Sequence, residues 1–249
     1  MKSYFRQTST LTYSYLASLP LFVVYEVLIR ISQPDTTAVV RLSADIWIQN
    51  LLLLFHENTL LLSFIVLAVL GGFIIYKERK QTFVFRPGFF AGMVGESTVW
   101  AVVLAVLVSG VTGMLFAISA GEMPVQASLL ATYGNTGITR LQMLALSIGA
   151  GLYEELVFRV VLVYLLIFAF GYIMQQKYAV MLAVVLAAAI FSAVHYTGSL
   201  GDPFTLSSFT FRMLFGLALN ALLVVRGFGI TAWTHSMYDV ILVVFFWPV

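Results

Sequence analysis

Residues 141–170 read LQMLALSIGAGLYEELVFRVVLVYLLIFAF, and their only charged members are Glu154, Glu155 and Arg159. At about 1.5 Å of rise per residue, such a helix is long enough to cross the roughly 30 Å apolar core of a bilayer. A charge at the centre of a transmembrane helix costs about 2.5–3.5 kcal/mol on insertion scales. Three in one run therefore need partners or a task. Arg159 follows Glu155 by four positions, so the two meet on one helix face and can pair. Glu154 points about 100° away and is left for something else.

The rest of the chain has the same character. Of its 249 residues, 61% are hydrophobic and 10% charged, against roughly 25% charged in soluble domains. Apolar runs predict crossings at 11–31, 57–76, 88–119, 140–170, 178–197, 209–225 and 229–247. The fold class is all-α, a polytopic integral membrane protein of about seven transmembrane helices. The stretch 41–56, RLSADIWIQNLLLLFH, reads as an interfacial helix, with an eighth crossing as the alternative. Span 88–119 exceeds what a bilayer needs, so it must tilt or break, with Gly110 and Gly113 as candidate breaks.

Lys2, Arg6, Lys77, Arg79, Lys80, Arg86, Lys177 and Arg226 fall on one side of these crossings; Arg30, Arg41, Arg140 and Arg212 fall on the other. Because cytoplasmic loops accumulate Lys and Arg, the count predicts a cytoplasmic N-terminus. The first apolar run carries Glu26 and Arg30 and ends without an A-x-A site, so it reads as an uncleaved first helix. Polar connections 120–139 and 196–208 become loops on the far side. With no internal repeat and no long linker, residues 1–249 read as a single membrane domain.

The net charge of +2 is scattered, which speaks against a nucleic-acid partner, and with no cysteine the chain has no disulfide, thiol nucleophile or Cys-ligated metal.

Two further constellations accompany the acidic pair. FSAVH places Phe191 and His195 one helical turn apart, and HSMYD does the same for His235 and Asp239. Each has a plain structural reading: Glu155–Arg159 as a bundle ion pair, a buried histidine as an interhelical hydrogen-bonder, Phe191 as core. Together, Glu154, two imidazoles and Asp239 on three helices can handle protons and water. A glutamate in a low-dielectric cavity suits a general base acting on water, and an imidazole opposite it can share or return the proton.

In this order on successive apolar helices, E-E-x-x-x-R (Glu154, Glu155, Arg159), F-x-x-x-H (Phe191, His195) and H-x-x-x-D (His235, Asp239) resemble the CPBP family, which includes the type II CAAX prenyl endopeptidases. The resemblance covers about 140–247, so the catalytic core is expected in the C-terminal four helices; residues 1–139 carry no recognised motif. It implies a glutamate-dependent intramembrane protease acting on a membrane-associated, membrane-proximal or lipidated protein or peptide. By the same resemblance, Glu154 activates the hydrolytic water and His195 assists. His235 stabilises the oxyanion with the residue at Asp239, while Arg159 and Glu155 hold the helix and set the electrostatics. The last position is often Asn in the family. An ionised Asp239 can only accept hydrogen bonds, so its expected role is to orient His235 and fix its tautomer.

No cofactor is expected. Glu154, His195, His235 and Asp239 could in principle form a His₂-carboxylate zinc site, but H-E-x-x-H is absent and the family's chemistry needs no ion. A proton-coupled transporter and a non-catalytic membrane scaffold are the other function classes. Neither paired halves nor inverted repeats support a transporter. The expected location is a bacterial or archaeal cell membrane.

One difficulty stands. Counted from its flanking charge Lys177, His195 lies about 27 Å deep, whereas His235, counted from Arg226, lies about 13 Å deep. The resemblance requires the two to meet, so one helix must begin outside the bilayer, tilt, or end in a water-filled vestibule. His56 and Glu57 fall at a break before the second crossing; they, Glu26, Arg30 and Glu96 are left outside the site.

Overall fold

A computed structural model describes residues 2–33, 40–80, 85–116, 137–198 and 201–247. Most of the predicted loop 120–139 lies outside the described residues, as do 199–200 of the loop 196–208. The elements in order are α1 (Lys2–Thr8), α2 (Leu11–Ser32), α3 (Ser43–Leu53), α4 (Thr59–Glu78), α5 (Pro87–Phe116), α6 (Arg140–Gly149), a π-helix π1 (Ala150–Leu162), α7 (Val163–Gly171), α8 (Gln176–Val194), α9 (Leu206–Arg226) and α10 (Phe228–Phe246). The described residues contain no strand, as a bilayer demands of a chain that must satisfy its own backbone hydrogen bonds without closing a barrel.

Six helices, α2, α4, α5, α8, α9 and α10, are long and apolar enough to cross a membrane. The remaining predicted crossing, 140–170, is present as one continuous rod, α6–π1–α7. Ala150 and Val163 at its two joints keep right-handed helical angles, so winding changes there while direction does not. The chain is therefore an all-helical polytopic membrane protein. The eighth-crossing alternative fails: α3 has 11 residues, about 16 Å of helix, roughly half of what a span needs. Helix α5 runs unbroken through Gly110 and Gly113.

Local chemistry starts several of these helices. Thr10, Asn58 and Thr205 accept hydrogen bonds from the backbone N–H groups of Tyr13, Leu61 and Ser208 at 3.3, 3.0 and 3.1 Å. Thr139 and Gln142 form a reciprocal capping box at the head of α6. Gly227, at φ 82°, is the single residue between α9 and α10; a left-handed angle of this kind favours glycine.

Helix α10 is the bundle's axis. It packs on α2, α5, α6, π1 and α9, and 56% of its spanning window is buried, against 11% for α4. An apolar helix left bare on the outside of a soluble protein would be a liability; in a bilayer it is the lipid-facing wall. The turn into α10 is sealed by Arg226. Its Nε donates to Glu96 Oε1 at 2.5 Å and its Nη2 to Glu96 Oε2 at 2.8 Å and Thr8 Oγ1 at 2.9 Å. Tyr4 also donates to Glu96, at 2.8 Å. Arg226 is 5% exposed: it is an internal clamp between α1, α5 and α9 and no surface charge. Glu96 is thereby committed away from the predicted site.

Candidate active site

Glu154, Glu155 and Arg159 lie on π1, where hydrogen bonds reach five residues back instead of four. Such winding is rare and frequently accompanies function. It brings π1 against α10 at Gly151, where an added Cβ would strike Ser236 Oγ and the Ala232 carbonyl oxygen. Only glycine permits that approach, and with it the meeting of the carboxylates of π1 with the imidazole of α10.

Glu155 and Arg159 pair as the spacing predicts, Oε1 to Nη1 at 3.2 Å, with both side chains at most 1% exposed. The guanidinium lies 4.0 Å from the centre of the Phe191 ring, a cation–π contact strengthened by desolvation. Phe191 is both of the things its position allowed. It is 2% exposed and thus core, and it is an aromatic wall whose edge or face meets Phe158, His195 and His235 at centroid distances of 5.4, 4.9 and 6.0 Å.

Both imidazoles converge on Glu154. His195 Nε2 stands 3.9 Å and His235 Nε2 4.0 Å from Glu154 Oε2. Their other nitrogens are engaged: His195 Nδ1 lies 2.8 Å from the Phe191 carbonyl oxygen, and His235 Nδ1 lies 2.7 Å from Glu155 Oε1. Both partners can only accept, so each Nδ1 carries the hydrogen. Neutral His195 then offers a lone pair on Nε2 towards Glu154, whereas His235, with the carboxylates of Glu154 and Asp239 on its Nε2 side, can carry a second hydrogen there. Oε2 of Glu154 is buried and has no hydrogen-bond partner among the described residues. Polar groups separated by this much, just beyond direct hydrogen-bond reach, can be bridged by one water.

Asp239 differs from expectation in its contact. Its Oδ2 lies 3.5 Å from His235 Nε2, on the same side as Glu154, whereas the tautomer-fixing bond on Nδ1 comes from Glu155. Asp239 stands at the mouth of the group, with 27% of its side chain exposed.

The two imidazoles meet even though counting from the flanking charges set them at different depths. Arg226, one of the two charges counted from, is buried in protein and paired with Glu96, so it is no free flanking charge of the kind that marks a boundary. The second turn of α10 meets the very end of α8, where His195 is the first residue past the helix.

Around these groups is a cavity of about 400 Å³. Glu154, His195, His235 and Asp239 line it, together with Leu42, Ile46 and Trp47 of the α3 region and Ile138. A charge network that is buried at Glu26 and Asp45 and half exposed at Arg30 adjoins the α3 region. Arg41 donates to Asp45 at 2.7 Å and to Glu26 at 3.1 Å, Arg30 donates to Glu26 at 2.5 Å, and Tyr25 donates to Asp45 at 2.6 Å. Burial disfavours the Arg41 charge, but the hydrogen bonds it donates to Glu26 and Asp45 outweigh this and hold its pKa above the ordinary arginine value. The Glu26–Arg30 pair expected at the helix end is thus part of a four-residue charge cluster.

Sequence reasoning missed Arg212 and Asp202, which also line the cavity and pair with each other. The signal was present, since Arg212 is the only charge inside the apolar run 209–225.

Tetrahedral zinc ligands at about 2.0–2.2 Å from the metal lie roughly 3.4 Å apart, closer than the Glu154–imidazole separations. Among the described residues, no group of three or more carboxylates and imidazoles has metal-holding geometry.

Residues 136–241 match the family model described as type II CAAX prenyl endopeptidase Rce1-like. No curated protein and no solved structure matches the chain.

Proposed function

We propose, from the premise that the C-terminal part of this chain, residues 136–241, belongs to the type II CAAX prenyl endopeptidase Rce1-like family and so to a protease family, that the protein is a glutamate-dependent intramembrane endopeptidase. One observation carries the site assignment: an unpartnered Glu154 Oε2 with two imidazole Nε2 atoms at 3.9 and 4.0 Å.

Water held between these atoms donates to Glu154, which takes its proton as the oxygen adds to the scissile carbonyl. The carbonyl oxygen becomes an oxyanion. His235 enters the cycle as the imidazolium, with Nδ1–H on Glu155 and Nε2–H towards the oxyanion, and it stabilises the oxyanion by that hydrogen bond while keeping its proton throughout. Collapse of the tetrahedral intermediate breaks the C–N bond, and the leaving amine receives its proton from Glu154 by way of His195. Asp239, beside His235 Nε2, orients that ring. Every proton in this sequence moves between protein, water and substrate, and no metal ion takes part.

The substrate class is a membrane-associated protein or peptide, lipidated or cut close to the bilayer. The apolar wall formed by Leu42, Ile46 and Trp47 supports a greasy residue next to the scissile bond. An intramembrane setting excludes bulk water and strengthens each of these electrostatic contacts.

The test is cleavage of a quenched fluorescent lipidated peptide by purified protein in nanodiscs. Glu154→Gln should abolish cleavage while the protein stays folded. Wild-type activity in a folded Glu154→Gln variant would overturn the proposal.

A further inference from the structure

His195 is the only member of the site that stands outside regular helix. Helix α8 ends at Val194, and His195 is the residue after it. A ring at a helix end is poorly held by its own backbone, because the last turn frays. Its Nδ1 bond to the Phe191 carbonyl, one turn back in the same helix, holds the ring only to α8, which is itself docked on α9 by the hydrogen bond from Ser192 Oγ to the Phe209 carbonyl at 2.8 Å. Whatever fixes the chain just beyond His195 therefore sets the distance from Nε2 to Glu154.

Two residues do so. Tyr196 comes directly after it, and Asp202 donates its backbone N–H to the His195 carbonyl oxygen at 2.9 Å. Both are gripped by one side chain. Arg212 Nη1 donates to the Tyr196 hydroxyl and to Ser208 Oγ, each at 2.8 Å, and Arg212 Nη2 pairs with Asp202 Oδ2. Arg212 and Asp202 are 8% and 9% exposed, so the pair is held away from solvent, where a charge-assisted bond is strong and directional. Arg212 projects from α9, next to Phe211 and one turn before Phe215, the ring that packs on His235 at 5.8 Å. The residue that ties down His195 is therefore anchored on the helix that also braces His235.

We propose that Arg212 is a positioning residue for His195. Through Asp202 and Tyr196 it fixes the end of α8, and so the aim of the imidazole at Glu154. The assignment rests on the proteolytic reading for its catalytic consequence, while the placement of His195 can be measured without any cleavage.

The chain contains three histidines, His56, His195 and His235, which makes the ring directly observable. Protein labelled with ¹³C in the histidine rings, held in nanodiscs, gives three signals; His195→Gln assigns one of them, and His56, exposed at the α3–α4 break, is the internal reference. Arg212→Met and Asp202→Asn are each expected to shift or broaden the His195 signal while leaving those of His56 and His235 in place. Arg212→Lys should restore it in part. In cleavage of the lipidated peptide, both variants should lower kcat by about 10–100-fold with KM little changed, the usual consequence of an ångström-scale misplacement. The double variant should be no worse than the poorer single one, because the two act through one contact. Should Arg212→Met fail to fold, Asp202→Asn carries the test. An unmoved His195 signal in folded Asp202→Asn or Arg212→Met overturns the proposal, as does equal perturbation of all three histidines with lost thermal stability. If Glu154→Gln cleaves as well as wild type, the proteolytic reading falls, and the histidine spectra still decide the role of Arg212.

Discussion

Glu155 Oε1 is shared between two partners, His235 Nδ1 at 2.7 Å and Arg159 Nη1 at 3.2 Å. A single buried oxygen thus joins the helix bearing the acid to the helix bearing the imidazole. Among the described residues, the neighbouring Glu154 has no hydrogen-bond partner at Oε2. Under the proposed mechanism the adjacent carboxylates have opposite jobs, one holding the architecture through its Oε1 and the other kept open for chemistry. Removing the first should be costly. Glu155→Ala leaves Arg159 buried without its counter-charge and is expected to destabilise by about 3–5 kcal/mol, whereas Glu154→Gln should leave the melting temperature unchanged and eliminate cleavage. Thermal unfolding followed by tryptophan fluorescence, beside peptide cleavage, separates the two. Equal stability losses in both variants would refute the division of labour.

The approach of π1 to α10 is tested at Gly151. Alanine there must push against the Ala232 backbone carbonyl, which has no rotamer to escape into. A cost of about 1–3 kcal/mol is expected, together with reduced kcat as Glu154 is moved from His235. Gly110, with nothing within 4 Å of an added Cβ, is the control: alanine should be neutral there or stabilise by up to about 1 kcal/mol through helix propensity.

The clamp at the start of α10 predicts non-additivity. Arg226→Met strands Glu96 and releases α1 from its bonds at Thr8 and Ser9. Adding Glu96→Gln should recover part of that loss, with a coupling energy of about 0.5–3 kcal/mol, and limited proteolysis should show α1 freed in both variants. Simple additivity in thermal unfolding would show that the two do not act as a pair.

These contacts also show which parts of the structure were legible in the sequence. The crossings were, because a bilayer turns length and hydropathy into a direct readout, and each of the seven apolar runs forms helix over most of its described residues. The Glu155–Arg159 pair was, because it is local. The π winding was not: residues four apart meet in either winding, so spacing does not distinguish them, and Gly151 shows its purpose only once Ala232 lies beside it. Arg226 misled because an arginine at the end of an apolar run reads as a boundary, and its partner Glu96 is 130 positions away. Arg212 was read as a loop-side charge for the same reason, its partners Tyr196 and Asp202 lying in a polar connection.

Chelation provides an independent check on the mechanism. With Glu154 and the imidazoles farther apart than zinc ligands sit, cleavage should persist in EDTA and 1,10-phenanthroline, and metal analysis of the purified protein should find no stoichiometric zinc. Activity abolished by chelator and restored by zinc would overturn the metal-free mechanism.

The winding of π1 carries a consequence for how this crossing tolerates change in length. A hydrogen-bond ladder that reaches five residues back accommodates one more residue than the ordinary spiral. Losing that surplus residue between Ala150 and Tyr153 would let the rod settle into the common winding with the residues beyond it near their present register, whereas the same loss in an ordinary helix turns everything after it by about 100°. This crossing can therefore absorb a one-letter deletion that would swing the far half of any of its straight neighbours out of alignment.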